Sequence, residues 1–312
     1  MGFALCRAVC SADNEGLLRM SRFTAVRRAT LIALSIVAFL LPARAHAATL
    51  EFDRLIQTSP FVGTSVSMGD NEGSAFVPSD NSLWLADDGK RRIYEVDPTT
   101  GALKRTIPRS VFNDALRVGG GPAAGTYRTN DFESIAYDRA NDVLYVFSGK
   151  CCTSSILPTA FRLTRQSGQF QVESYQPLPK GADYTADYTA AAWSPSDGKV
   201  YVGKGGYVRS FDYGSATEGS PFRVGVAGIT GMDFSPDGAD LFVTTNKETL
   251  VRVNWSSRTP VSGWTLGLTP FGIRDSRAVA DIAGQFFVSD GYDSRASGDP
   301  LRHAVFVLDA VQ

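Results

Sequence analysis

One phrase recurs along this chain, and it constrains the fold more tightly than any other feature. It runs Glu72-Gly-Ser-Ala-Phe76 then Asn81-Ser-Leu-Trp84-Leu-Ala-Asp87, and returns as Glu133-Ser-Ile-Ala-Tyr137 then Asp142-Val-Leu-Tyr145-Val-Phe-Ser148. A third copy runs from Thr189 through Trp193-Ser-Pro-Ser-Asp-Gly198 to Lys204, and a fourth from Thr230 through Phe234-Ser-Pro-Asp-Gly238 to Thr245. The fifth is degenerate: Arg277–Ile282, a shortened turn at Ala283-Gly284, then Gln285–Asp290. Each copy is a short apolar run, a turn of Ser, Pro, Asp, Gly or Asn, and a second run of β-branched and aromatic residues, which is the pattern of a hairpin.

A third strand is expected after each hairpin, at Arg92–Asp97, Ala160–Thr164, Tyr207–Tyr213, Leu250–Trp255 and Ala304–Asp309. Fourth strands fit at Leu103–Ile107, Phe170–Tyr175, Pro221–Val226 and Val261–Leu266, and the fifth unit lacks one. The stretch Leu50–Gln57 has no other partner and can supply it. The expectation is an all-β, five-bladed β-propeller over residues 48–312, with the N-terminal strand closing the ring and protecting the last edge. Six blades remain as the alternative if the insertion Ser110–Asn130 hides a degenerate unit. A second insertion covers Gly149–Thr159. The glycine run Gly119–Gly125 has a Pro where a helix should begin and no strand–helix–strand context, so it reads as a flexible loop and not as a nucleotide-binding turn.

Residues 20–47 read as a signal peptide. Arg22, Arg27 and Arg28 precede the apolar run Leu31–Leu41, and Pro42 leads to Ala45-His46-Ala47, a small-x-small cleavage site. That run is far below the ~20 residues needed to cross a bilayer, so no membrane span is expected. The signal begins naturally at Met20, and residues 1–19 read as an upstream, non-translated extension. Arg27-Arg28 is compatible with the twin-arginine route, but the Sec route is the expectation, with a secreted or periplasmic destination. After cleavage the chain keeps 25 basic and 30 acidic residues. A net acidic protein lacks the clustered Lys/Arg that nucleic acid requires. Of four cysteines, only the adjacent Cys151 and Cys152 survive cleavage; a vicinal disulfide and two free thiols are both open readings.

In a propeller the first strand of each blade lines the central channel, so equivalent strand starts meet at one mouth. Those are Glu72, Glu133, Thr189, Thr230 and Asp275 or Arg277, with Asp70-Asn71 and Asn130-Asp131 leading into the first two. The ends of the second strands bring Asp87, Asp88, Ser148, Lys204, Asn246 and Asp290 towards the same mouth. Carboxylates converging in a narrow channel repel one another unless a cation or an Arg/Lys neutralises them. Oxygen donors suit Ca²⁺, or Mg²⁺, with Glu72 and Glu133 as the carboxylates at the strand starts; the competing reading is that these two pair with Lys204 or Arg277. Zn²⁺ prefers His and Cys, and His303 is the single histidine after the cleavage site. His303 is expected in a strand with a core or edge role. The acidic stretch Asp290–His303 reads as a surface loop, with a second cation site or a lid as the functional alternative. Neither a Gly-x-Ser-x-Gly elbow nor a His-Glu-x-x-His helix is present.

The phrases Asn130-Asp-Phe-Glu133-Ser-Ile-Ala-Tyr-Asp138 and Phe234-Ser-Pro-Asp-Gly-Ala-Asp-Leu-Phe-Val243 resemble those of a broad group of secreted or periplasmic propellers. The group includes the gluconolactonase and calcium-dependent phosphotriesterase proteins, the strictosidine-synthase-like proteins and the SdiA-regulated proteins. In the lactonases a channel cation held by Glu, Asn and Asp polarises the substrate, which would assign Glu72 and Glu133 as ligands. The usual Pro-Asn-Gly is here Ile229-Thr230-Gly231, leaving Asn246 or Asp290 as the substitute. Two readings follow. The first is a monomeric propeller that binds a small molecule, carbohydrate or protein at its mouth, with a structural cation. The second is a metal-dependent hydrolase of a lactone, ester or phosphoester, with Asp87 or Asp290 as base.

Overall fold

The computed structural model describes residues 48–118, 131–149, 158–178 and 188–311. Residues 1–47, where the signal peptide is expected, Gly119–Gly125 and the Cys151-Cys152 pair lie outside these described residues. Five four-stranded antiparallel sheets are formed. Blade 1 holds β2 (Asn71–Val77), β3 (Ser82–Asp87), β4 (Arg92–Val96) and β5 (Leu103–Pro108); blade 2 holds β6 (Phe132–Asp138), β7 (Val143–Ser148), β8 (Thr159–Gln166) and β9 (Gln169–Pro177). Blade 3 holds β10 (Ala190–Ser194), β11 (Lys199–Lys204), β12 (Tyr207–Asp212) and β13 (Thr217–Glu218), and blade 4 holds β14 (Ile229–Phe234), β15 (Asp240–Thr245), β16 (Thr249–Asn254) and β17 (Thr259–Gly267). Blade 5 combines β18 (Ser276–Ile282), β19 (Gln285–Asp290) and β20 (Val305–Val311) with β1 (Thr49–Ile56), which pairs with β20 as the outermost strand. The ring is a five-bladed propeller closed by the N-terminal strand, as the repeat implies.

Turn chemistry explains the hairpins. Between the first and second strands of the blades, Asn81, Asp142, Gly198, Gly238 and Gly284 have positive φ, from 47° to 90°. These residue types reach the left-handed region at least cost, so the Asn/Asp/Gly content of the repeat fixes where each strand reverses.

Packing explains the ring. Each seam between neighbouring blades carries its own hydrophobic cluster. Trp84, Ile93, Phe132 and Phe161 fill the seam of blades 1 and 2; Phe147, Ala160, Val200 and Phe211 that of blades 2 and 3. Tyr201, Val208, Leu241 and Val243 fill the next, followed by Phe242, Trp264, Phe286 and Phe306. Phe287, Val305 and Val307 meet Leu83, Leu85 and Tyr94 where blade 5 closes on blade 1. Five seams are filled by five clusters, which leaves no place for a sixth blade.

The insertion Ser110–Asn130 is in its described part a helix, α1 (Arg109–Val118). Its Phe112 is fully buried, with ring centroids 4.8 Å from Phe132 and 5.1 Å from Phe161, so α1 caps the first seam. Blade 3 corrects a second expectation. Its outer strand is the two-residue β13, and Phe222 of the expected stretch Pro221–Val226 makes a single bridge to Val208, with both N–H···O bonds at 2.9 Å. Pro221 has no N–H, so a ladder cannot run through it.

The inner strands β2, β6, β10, β14 and β18 follow one another around the axis. Small residues permit this. A Cβ on Gly73 would come within 2.7 Å of Ser134 Cα, and one on Gly231 within 2.6 Å of Ala278 Cα. No side chain fits there, so glycine is required at both.

Candidate functional site

Four of the five inner strands begin with a β-bulge, and the extra residue in each is a position singled out by the repeat. Register shifts fall between Asn71 and Gly73, Phe132 and Ser134, Ile229 and Gly231, and Ser276 and Ala278. The bulged residues are therefore Glu72, Glu133, Thr230 and Arg277. A bulge leaves one residue out of the ladder and re-aims its side chain, which is why bulges recur beside functional sites. Thr189, the fifth member, lies one residue before β10 and donates from Oγ1 to Ile229 O at 2.8 Å.

Around Glu72 and Arg277 the mouth is crowded with acids from three consecutive blades. Arg277 pairs with Glu72 at 3.1 Å and with Asp275 at 2.8 Å. Burial works against its charge, but the two carboxylates beside it raise its pKa. Glu72 is only 6% exposed, and burial pushes its carboxyl up against the opposing pull of Arg277. Asp70 is raised by burial and then by Glu72 and Asp293; Asp88 is raised by burial and then by Asp131. Next to them, a Cβ on Gly149 would strike both Glu133 Oε1 and Asp131 Oδ2, so those two acids converge over a bare glycine backbone.

One further group joins the arc. A carboxylate oxygen of Asp70, one of Asp293 and a ring nitrogen of His303 all lie within 4.8 Å of one another. Asp70 Oδ1 and His303 Nδ1 are buried without hydrogen-bond partners. His303 is not in a strand: it sits at φ 53° in the turn before β20, fully buried, and burial lowers its pKa.

Asp87 and Asp290 occupy equivalent positions at the ends of β3 and β19, and both are fully buried. Asp87 accepts from the backbone N–H groups of Gly69, Asp70 and Lys90 at 2.9–3.1 Å and from Tyr94 Oη at 3.1 Å. Asp290 accepts from Asp275 N at 3.0 Å, Tyr292 N at 3.3 Å and Arg295 at 2.7 Å. Each carboxylate thus ties down the loop that delivers the acids of its own blade. With their lone pairs so engaged, both act as scaffold, and the role of base expected from the sequence does not fit their surroundings. Asn246 is exposed, with its backbone N–H bonded to Gly228 O at 2.8 Å.

At the other end of the inner strands lies a small cavity of about 30 Å³, lined by Ser74, Arg139, Trp193, Asp233 and Asp281 among others. Burial pushes Asp233 up to about 7 and Asp281 up to about 6. Asp233 is held by two backbone N–H groups, Phe234 at 2.9 Å and Asp281 at 2.8 Å. The repeat does not draw attention to this pair, because Asp233 falls where the other copies carry Ala and Asp281 where they carry an aromatic residue.

No protein-family model and no curated protein matches the sequence. Among solved structures, the chain is similar to the crystal structure of Myxococcus xanthus glutaminyl cyclase, with a TM-score of 0.57 and 10% identity over 85% of this chain and 98% of that one. At that identity the likeness supports the five-bladed propeller and leaves the chemistry of the mouth to its own residues. No helix among the described residues is long and apolar enough to cross a membrane.

Proposed function

We propose that this protein is an exported propeller whose acidic mouth holds a divalent cation and, through it, binds an oxygen-rich ligand such as a carboxylate or sugar hydroxyls. The observation that carries this reading is a charge imbalance in a buried place. Asp70, Glu72 and Asp88 all have raised pKa values, Asp131, Asp275 and Asp293 crowd the same arc, and Arg277 is the cation that pairs with Glu72 and Asp275 among them. Carboxyls forced together in this way either hold protons or hold a metal ion, and at neutral pH a hard cation such as Ca²⁺ relieves the repulsion most directly. Binding is favoured over hydrolysis because Asp87 and Asp290, the acids assigned as bases, engage their lone pairs with loop backbone.

The test is elemental analysis of the purified protein, followed by thermal unfolding in EDTA and with added Ca²⁺. A ligand present at about 100 times its dissociation constant stabilises a fold by about 2.7 kcal/mol, equivalent here to a rise in Tm of about 5–10 °C. That rise is expected in the wild type and should shrink in Glu72→Gln and Asp88→Asn. Absence of bound metal together with no response to Ca²⁺ or Mg²⁺ would overturn the reading.

A further inference from the structure

We propose that Asp70, Asp293 and His303 form a three-ligand site selective for a borderline divalent transition metal, such as Zn²⁺ or Co²⁺, with coordination positions left open to the channel mouth. The proposal rests on the reading that the mouth holds a cation and specifies which cation, and where. Three observations carry it. The donor atoms already converge within 4.8 Å, and His303 Nε2 lies 3.5 Å from Asp293 Oδ1. Two ligands on a tetrahedral Zn²⁺, each about 2.0–2.1 Å from the metal, are separated by about 3.3 Å. Closing the set therefore takes a shift of the Asp70 and Asp293 side chains, and the Asp293 side chain is 66% exposed and has room to move.

The imidazole, moreover, is fully buried with only one of its two nitrogens engaged in a hydrogen bond. Nδ1 has no partner, and Nε2 is met by Arg302 Nε at 3.1 Å, a half-buried side chain that can turn away. Nε2 is also the nitrogen that faces Asp293, so a metal ion there would take the place of the Arg302 contact. Its backbone, by contrast, is fixed: Thr58 Oγ1 donates to His303 O at 2.6 Å and Asn71 Nδ2 donates to the same oxygen at 3.4 Å, both from fully buried side chains. Asn71 is the neighbour of Asp70, so the clamp that holds the histidine also holds the carboxylate facing it. The shared clamp thus fixes the backbones that carry the histidine and the carboxylate, while the side chains close around the ion.

The donor chemistry then decides the ion. Ca²⁺ and Mg²⁺ take oxygen ligands, whereas an imidazole beside two carboxylates suits Zn²⁺, Co²⁺ or Mn²⁺. Three protein ligands are one short of a closed tetrahedral site, which leaves room for water or for an oxygen of the bound ligand.

The experiment titrates EDTA-stripped protein with Co²⁺, followed by its visible absorption, and with Zn²⁺ and Ca²⁺ by calorimetry, in wild type, Asp293→Asn and His303→Gln. Changing an outer-shell partner typically weakens metal affinity about 10–100-fold, so losing a ligand should cost at least about tenfold. The expected result is Co²⁺ and Zn²⁺ binding tighter than Ca²⁺, weakened at least about tenfold in both variants, without thiolate-to-cobalt charge-transfer absorption. Asp293→Asn changes an exposed side chain and keeps the test valid if His303→Gln fails to fold. Ca²⁺ binding that is as tight as Co²⁺ binding and indifferent to Asp293→Asn overturns this inference and leaves the proposed function standing. Cobalt bound with thiolate absorption and insensitive to Asp293→Asn also overturns it, placing the metal on Cys151 and Cys152. Failure of every ion to bind overturns both.

Discussion

Replacing Asp233 by Asn should reverse the sign of its effect on stability as pH rises. In the folded protein burial pushes Asp233 up to about 7, while in the unfolded chain it titrates near 3.9. Below about pH 4 both states hold the proton and the group contributes no pH dependence. Between about 4 and 7 the unfolded chain releases its proton while the fold retains it, so stability falls as pH rises through that window; above about 7 the loss is complete. The displacement of about three pKa units, at about 1.4 kcal/mol each, corresponds to about 4 kcal/mol of destabilisation at pH 8. Asn removes that cost but has one acceptor oxygen where the carboxylate has two. Phe234 N donates to Oδ1 and Asp281 N to Oδ2, so one buried N–H loses its partner, at about 1 kcal/mol. Asp233→Asn should therefore be less stable than wild type by about 1 kcal/mol near pH 4 and more stable by about 3 kcal/mol at pH 8. Urea unfolding at half-unit intervals from pH 4 to 8.5 measures the difference directly. A difference that does not change with pH would refute the argument, because it would mean that Asp233 titrates alike in both states.

Two further predictions test the architecture. Asp87→Ala should destabilise the fold by about 3 kcal/mol, since four donors, one of them a buried tyrosine hydroxyl, lose one acceptor together; an unchanged Tm would show that the loop carrying Asp70 is held by something else. Phe112→Ala should cost about 3–5 kcal/mol by emptying the seam of blades 1 and 2, and a loss below about 1 kcal/mol would show that α1 is dispensable to the ring.

The fold is legible in the sequence because the repeat encodes it redundantly. Each blade carries the turn residue that reverses its hairpin and the alternating aromatics that fill its seams, so five weak signals reinforce one another. Expectation and structure part where there is no repeat to consult. Pro221 interrupts the outer strand of blade 3, and Arg109–Val118 lies in an insertion whose helix period stands apart from the surrounding strands. The site is legible in half. Glu72, Glu133 and Arg277 stand out because they share one repeat position. Asp70-Asn71 and the loop Asp290–His303 each read as acidic, yet nothing in the sequence joins Asp70 to Asp293 and His303. Their meeting depends on ring closure, which sets the loop before β20 against the loop before β2. A pattern of β-branched residues could not show that His303 leaves the strand, because the left-handed turn at φ 53° has no glycine to announce it.

The bulges explain how such a repeat can carry function at all. The residue that follows each bulge must be small, since Gly73, Ser134, Gly231 and Ala278 sit where neighbouring backbones nearly touch. The residue just before each of these is freed from the ladder, so its side chain answers to the channel and not to the seam. That position can be Glu in two blades, Thr in another and Arg in the last without disturbing the packing that closes the ring. The acids of blades 5, 1 and 2 are then gathered into one arc, while the corresponding starts of blades 3 and 4, Thr189 and Thr230, stay uncharged. Among the described residues the acids thus lie on one side of the mouth, so charge changes at Thr189 or Thr230 should alter what the mouth binds far more than they alter stability.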